Sequence, residues 1–391
     1  ADVRRVIASL QDSGITVIAA EHDPAAVLGA ASRLLVLDDG RLAWQGEPEA
    51  FFADPAQAEQ YGIRPLPMSV LVAELVRRLP ELAPSLSVLP RPPLTVAQTA
   101  NWLREVLPAG SMPSVATLPT PSTAPVVIEL ENLRFGYSPQ TEVLHDINLS
   151  VHAGEFVALI GANGAGKTTV AKHLNGLLRP TAGRVRICGR EISDQATWQL
   201  ADQVGYVFQN PDHQIFCRTV AEEVGFALRV AGRPEAEVKL ATAEVLDLTG
   251  LVQVADQNPF ALPRGQRQLV AMASSLIAEP EILVIDEPTT GQDWRGVQAI
   301  MTLVTELNRR GTTIVMISHD LELVGHYAQR VVRIDDGRVV ADGPAETQVT
   351  TQLRELWHAC FGADPSVRDE VAAAGQLARL HASAHEPGVV K

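Results

Sequence analysis

Residues 155–168 read EFVALIGANGAGKT, and the chain continues TVAKHLNGLL from Thr169 to Leu178. Phe156 to Ile160 is a short apolar run of the kind a buried strand needs, and helix-compatible sequence begins at Lys167. Between them lies the pattern GxxxxGK[ST], from Gly161 to Thr168, in the strand–turn–helix context that gives this pattern its meaning. Gly161, Gly164 and Gly166 let backbone N–H groups point inward at phosphate oxygens, and the helix N-terminus adds partial positive charge. Lys167 is expected to reach the β- and γ-phosphates and the Thr168 hydroxyl to hold Mg²⁺. The expected ligand is a nucleoside triphosphate with Mg²⁺, on an α/β fold of the P-loop NTPase class.

Three further strand ends supply candidate chemistry. Ile282 to Ile285 (ILVI) is apolar on both faces, as a central strand should be, and it delivers Asp286 and Glu287. Two carboxyls there are costly unless a cation or water site uses them. Asp286 suits a Mg²⁺ shell, and Glu287 suits a general base for an attacking water. His319 follows another apolar strand, TIVMIS, and reads as a sensor of the γ-phosphate that positions the water and Glu287. Gln209 ends VGYVFQ, where its amide could meet Mg²⁺ or the water.

The chain also repeats itself. Residues 14–46 (GITVIAAEHDPAAVLGAASRLLVLDDGRLAWQG) align without gaps on residues 311–343 (GTTIVMISHDLELVGHYAQRVVRIDDGRVVADG). His22 falls on His319, Asp23 on Asp320, Arg33 on Arg330, and the turn DDGR recurs at 38–41 and 335–338. Both copies predict helix, buried strand (ITVIAA; TTIVMIS), helix, strand, Asp-Gly turn and strand. The expected organisation is therefore a partial copy over 1–60, a complete domain over 126–350, and a proline-rich, partly helical linker over 61–125. Helical stretches are expected at Ser69–Leu79 and near Thr95–Leu107, with the tether SMPSVATLPTPSTAP closing the linker. Residues 351–391 read as a helical, polar tail. Ala1 lies inside an amphipathic pattern with no initiator Met, so the sequence is expected to be a fragment.

Composition bounds the rest. The chain has 391 residues, 46% of them hydrophobic, which suffices for two or three cores. Its formal charge of −14 disfavours nucleic acid as the main partner, because a phosphate backbone rewards a basic face. Cys188, Cys217 and Cys360 stand far apart in no CxxC pair, which suits reduced, packed thiols. No run of 18 apolar residues reads as a membrane span, so any membrane role is expected to come through a partner.

Taken in order, these motifs resemble the nucleotide-binding domain of ABC transporters. The resemblance covers about 126–343 fully and residues 1–50 as the tail of a second domain. It implies a RecA-like core with a helical signature subdomain at about 209–280. Tyr137 would stack on adenine, and Gly161 to Thr169 would be the Walker A loop, with Asn163 and Thr169 among its ligand-facing residues. Gln209 would be the Q-loop and Asp286-Glu287 the Walker B pair. Leu262 to Gln266 (LPRGQ) would be the signature, Gly291 to Asp293 the D-loop, and His319 the switch histidine. Pro263, Arg264, Gly265, Gln266 and Asp293 would serve a facing site. FQNPDHQIFCRTVAEEVGFAL at 208–228, GQRQL at 265–269 and RPPLTVAQTANWLR at 91–104 resemble energy-coupling factor (cobalt/vitamin-type) ATPases, including their tandem fusions.

That resemblance implies ATP and Mg²⁺, and ATP hydrolysis that drives import of a vitamin or transition-metal ion at the cytoplasmic face of the membrane. The implied partners are a transmembrane coupling protein, a substrate-binding membrane component, and a second nucleotide-binding domain, either a missing N-terminal half or another ATPase subunit. The alternatives are a soluble, non-transport tandem ABC ATPase and a truncated product that binds ATP without turnover. One departure stands out: the usual signature Ser is Pro263, which removes a hydroxyl and a backbone N–H at a helix cap.

Overall fold

The computed structural model describes residues 2–21, 24–89, 91–107, 124–138, 140–361 and 369–385. His22 and Asp23, and the tether from 111 to 123, lie outside these. The chain divides into two compact bodies: residues 118–292 with 296–349, and residues 1–117 with 293–295 and 350–391.

The smaller body begins with a helix at Asp2–Asp12 and a hairpin of β1 (Leu34–Asp38) and β2 (Arg41–Gly46). Val36 faces inward onto Phe51, Phe52 and Ala58, with Trp44 packed on Phe51 at 5.0 Å between ring centroids. The predicted linker and tail share a second core. The helices Pro67–Arg78 and Val96–Val106 close with Gln352–Phe361 and Glu370–His385 around Leu71, Leu75, Trp102, Leu103, Leu356, Trp357 and Leu377. Thr95 caps the second of these helices in a reciprocal capping box with Gln98, which satisfies two otherwise orphaned N–H groups. The tail reads as polar because its buried apolar side chains are few and split between two helices, with Leu353, Leu356 and Trp357 on the first and Ala373, Ala374 and Leu377 on the second.

The larger body opens with antiparallel strands ahead of its α/β core. β3 (Val126–Ser138) and β4 (Thr141–His152) form a long antiparallel pair with no intervening helix. They join β6 (Ala182–Ile187) and β7 (Arg190–Glu191) in a four-stranded antiparallel sheet. Burial alternates along β3 on either side of an irregularity, with Ile128 and Leu130 and then Leu133 and Phe135 inward, which is the signal of a half-buried strand.

The second sheet is the expected α/β core. Its order is β12-β11-β5-β10-β9-β8, with β5 (Phe156–Ile160), β8 (Val204–Val207), β9 (Ile282–Asp286), β10 (Thr313–Ile317) and β11 (Arg330–Asp335) parallel and β12 (Arg338–Pro344) antiparallel at the edge. β5, β9 and β10 are buried at every position, which explains why their sequences are continuous apolar runs. A helical subdomain of Val220–Val230, Glu235–Leu248 and Arg264–Leu276 encloses its own core around Val224, Leu246, Val270 and Ala273.

The repeat is visible in backbone register. β1 pairs Leu35 with Gln45 and Leu37 with Leu42; β11 pairs Val332 with Asp342 and Ile334 with Val339. Both hairpins shift register at the same place, between Val36 and Leu37 and between Arg333 and Ile334. Arg33 bonds Gln45 at 2.9 Å where Arg330 bonds Asp342 at 2.6 Å. One expectation fails here. Residues 15–20 form no strand, whereas their counterparts in β10 lie between β5 and β9. A strand exists only through its neighbours, and among the described residues no strand pairs with 15–20.

Candidate functional site

Each candidate residue of the α/β core lies at or just beyond the carboxyl end of a parallel strand, where open α/β sheets place their ligand crevices. β5 leads into the glycine loop, β9 ends at Asp286 and Glu287, β10 at Ser318 and His319, and β8 at Phe208 and Gln209.

The loop backbone needs glycine at two points. Gly161 has φ of 150°, and a Cβ there would drive into the carbonyl oxygen of Ile334. Gly166 has φ of 102° and sits against Leu144, whose Cδ2 would lie 2.8 Å from an added Cβ. The helix Lys167–Leu174 starts immediately after Gly166. Lys167 is only 6% exposed, and its Nζ donates to the carbonyls of Gly161 and Ala162, each at 2.9 Å. The ammonium is therefore held inside the curve of the loop, where phosphate oxygens could replace those carbonyls. Asn163 and Gly164 are exposed on the loop crest. Thr169 is buried and its hydroxyl lies 3.2 Å from the Tyr137 hydroxyl, while the Tyr137 ring is exposed at the end of β3.

Asp286 is 4% exposed. Burial pushes its carboxyl above the usual range. The Thr168 hydroxyl facing it opposes that shift, the neighbouring Glu287 charge adds to it, and the Tyr206 hydroxyl, donating to Oδ2 at 3.3 Å, opposes it again. Oδ1 is buried without a hydrogen-bond partner of good geometry. An unpartnered buried carboxylate oxygen next to a threonine hydroxyl is a hard-oxygen donor set, and it fits Mg²⁺. Gln209, expected to meet Mg²⁺ or the water, donates its amide nitrogen to Glu287, the residue next to Asp286.

Three side chains converge on Glu287. The Gln209 amide donates to Oε2 at 2.8 Å, the Thr290 hydroxyl donates to the same oxygen at 3.1 Å, and His319 Nδ1 lies 3.5 Å from it. The Glu287 backbone is left-handed, with φ of 46°, and its N–H bonds Ile317 O at 3.0 Å. A non-glycine residue held there costs on the order of 1 kcal/mol, a strain typical of functional turns. Thr290 and Tyr206 were not among the expected site residues. Thr290 sits three residues beyond Glu287 in PTTG, a spacing that a side-chain contact could have suggested.

The signature segment begins the helix Arg264–Leu276. Pro263 is its N-cap and offers no side-chain bond, although Arg267 N still reaches Pro263 O at 3.1 Å. Arg264 packs against Gly291 and reaches Gln209 O at 3.5 Å, and a Cβ on Gly265 would lie 2.9 Å from Gln292. Gln266 and Asp293 are exposed. The repeat's His22 lies outside the described residues. Among the described residues no helix is long and apolar enough to cross a membrane.

Known proteins align with this reading. The ABC transporter family model matches residues 144–290. The chain is 42% identical over 219 residues to the energy-coupling factor transporter ATP-binding protein EcfA of Methanothermobacter thermautotrophicus, covering 56% of this chain and 70% of that protein. It is 38% identical over 334 residues to a Methanosarcina mazei protein provisionally named an ABC transporter ATP-binding protein, covering 85% of this chain and 56% of the relative. The chain thus spans little more than half the length of such relatives. Among solved structures, cbiO1 from Clostridium perfringens, part of the ABC transporter complex cbiONQ, superposes with a TM-score of 0.53 at 34% identity over 57% of this chain and 90% of that one. A dimeric ATP-binding cassette in a post-hydrolysis state, bound to ADP and Pi, gives 0.52 at 29% identity over 56% and 98%. With the phosphate loop, the acidic strand end and the helical subdomain in place, the chain belongs to the ATP-binding proteins of ABC transporters.

Proposed function

We propose that this chain binds and hydrolyses ATP as a subunit of an energy-coupling factor importer for a vitamin or a transition-metal ion. The observation that carries hydrolysis is the convergence of Gln209, Thr290 and His319 on one carboxylate oxygen of Glu287, beside Asp286 and the phosphate loop. Lys167 would leave the loop carbonyls for the β- and γ-phosphates. Glu287 would accept a proton from the attacking water as its oxygen bonds the γ-phosphorus and the β–γ bridging bond breaks toward ADP. His319 and Gln209 would orient Glu287 and the water. Thr168 and Asp286 would hold Mg²⁺, which supplies charge neutralisation between the phosphates. Tyr137 would pack on the adenine.

The importer reading is supported by the similarity to EcfA and cbiO1. Residues 1–60 are, on this reading, the closing part of a first nucleotide-binding domain. The matched hairpin register, the shared bulge and the equivalent Arg33 and Arg330 pairs support that assignment. Two such domains would sandwich two nucleotides head to tail, one site using a consensus signature and the other the Pro263 variant. The partners would be a transmembrane coupling protein and a substrate-binding membrane component at the cytoplasmic face.

Purification of the full-length protein from solubilised membranes tests this. It should travel with a polytopic membrane protein and show ATP turnover that requires Glu287. Recovery only in soluble fractions, with turnover independent of any membrane protein, would favour a soluble tandem ABC ATPase instead.

A further inference from the structure

Phe208 is the residue immediately before Gln209, and glutamine side chains hold both of its backbone polar groups. Its N–H donates to Gln214 Oε1 at 3.3 Å, and its carbonyl accepts from Gln268 Nε2 at 3.2 Å. Gln268 belongs to the helix Arg264–Leu276 and is 1% exposed. Gln214 lies in the loop after Gln209, and its amide is seated on the same helix. It reaches Ala271 O at 2.7 Å, Ser274 Oγ at 3.0 Å and Ser275 Oγ at 2.9 Å. Ser275 Oγ in turn donates to Tyr206 O at 3.0 Å.

The end of β8 is thus tied to the signature helix at alternate residues, Tyr206 and Phe208, by side chains rather than by a sheet ladder. Beyond Val207 the strand has no further sheet partner, so these side chains do the positioning. The Gln214 amide, satisfied on both its oxygen and its nitrogen, admits few alternative geometries. The next residue, Gln209, carries the amide that touches Glu287.

We infer that Gln214 and Gln268 are positioning residues that clamp Phe208, so that the place of the signature helix sets whether Gln209 engages Glu287. This deepens the hydrolytic reading above and rests on it. A shift of the helical subdomain would carry Phe208 with it, and the Gln209–Glu287 bond would form or break accordingly. The clamp thereby supplies a physical link between movement of that subdomain and the chemistry at Glu287.

The test uses the full-length protein with Gln214→Met and Gln268→Met, which keep side-chain volume and remove the amides. Asp212→Asn is the control. It weakens the ion pair to Arg267, which joins the same loop to the same helix without touching Phe208. Turnover at saturating ATP should fall on the order of tenfold in both Met variants, while affinity for a fluorescent ATP analogue stays within about twofold. Hydrogen exchange at the Phe208 amide should speed up by roughly tenfold in Gln214→Met, with the core strands unchanged. Asp212→Asn should resemble wild type in all three.

Faster exchange at Phe208 with unchanged turnover would overturn the inference, as would parallel loss of affinity and of protection throughout the core. If wild-type turnover proves independent of Glu287, the hydrolytic reading itself fails. The exchange measurement then judges the clamp alone, and an unaltered Phe208 amide in Gln214→Met would refute it.

Discussion

Gln209 Nε2 donates to Glu287 Oε2 at 2.8 Å, joining the ends of two strands separated by 78 residues of sequence. The bond exists because β8 and β9 are parallel neighbours, with Val207 paired to Ile285, so their carboxyl ends open onto one edge of the sheet. Thr290 and His319 complete the arrangement from the turn after Glu287 and from the end of β10. The site is therefore a consequence of strand order, and its parts can be tested separately.

Gly161 and Gly164 differ in what surrounds them. A methyl at Gly161 meets a backbone carbonyl that is itself part of β11, whereas a methyl at Gly164 meets nothing within 4 Å despite its φ of 82°. Gly161→Ala should lower stability by more than about 2 kcal/mol, combining backbone strain with a displaced strand, and Gly164→Ala by about 1 kcal/mol from strain alone. Denaturant unfolding of the two variants checks the order. Equal costs would mean that the loop does not press on β11 as described.

His173 gives the cassette a pH dependence of known sign. It is fully buried in the helix after the phosphate loop, edge-on to Phe135 at 4.8 Å, with Nδ1 2.7 Å from Thr169 O. Burial pushes its pKa below the ordinary 6.5, outweighing the backbone hydrogen bonds that favour the charged ring. The unfolded chain therefore takes up the proton first as pH falls. The stability linked to neutral His173 is intact above the unfolded value and is lost as pH drops through it toward the folded value. Thermal unfolding between about pH 7.5 and pH 5 should show a loss that His173→Gln reduces. A variant that loses stability as steeply as wild type would assign the dependence to other groups.

Repeat-equivalent positions should differ in how strongly they respond to the same change. Leu35 and Leu37 are 54% and 71% exposed, while Val332 and Ile334, their counterparts, are fully buried against β5 and the core. Leu35→Ser and Leu37→Ser should alter stability by no more than about 0.5 kcal/mol, as exposed substitutions do. Val332→Ser and Ile334→Ser should each cost roughly 2–4 kcal/mol through lost burial and an added buried hydroxyl. Chemical denaturation of the four variants decides this.

What the sequence makes legible follows from what is local. The phosphate loop, the acidic strand end and the closing hairpin of the repeat are contiguous patterns, and each lies where its own stretch of chain predicts. Thr290, Tyr206, Gln214 and Gln268 act through contacts across 3 to 80 residues, and their types alone carry no signal. Residues 15–20 show the converse: ITVIAA has the composition of a buried strand, but Ile18 is 94% exposed because no neighbour pairs with it. The helical core around Trp102 and Trp357 was obscured for a related reason. Its two halves are some 250 residues apart, and each alone reads as a linker or a tail.

On the function proposed above, Glu287 turns a nucleotide-binding loop into a hydrolytic site. Phosphate release by the full-length protein, compared with Glu287→Gln at matched ATP occupancy, tests it most directly. Gln keeps an oxygen that can accept from Gln209 and Thr290 but removes the base. Turnover should fall by at least about a hundredfold with ATP affinity retained. Turnover within a few-fold of wild type in Glu287→Gln, with ATP still bound, would contradict it.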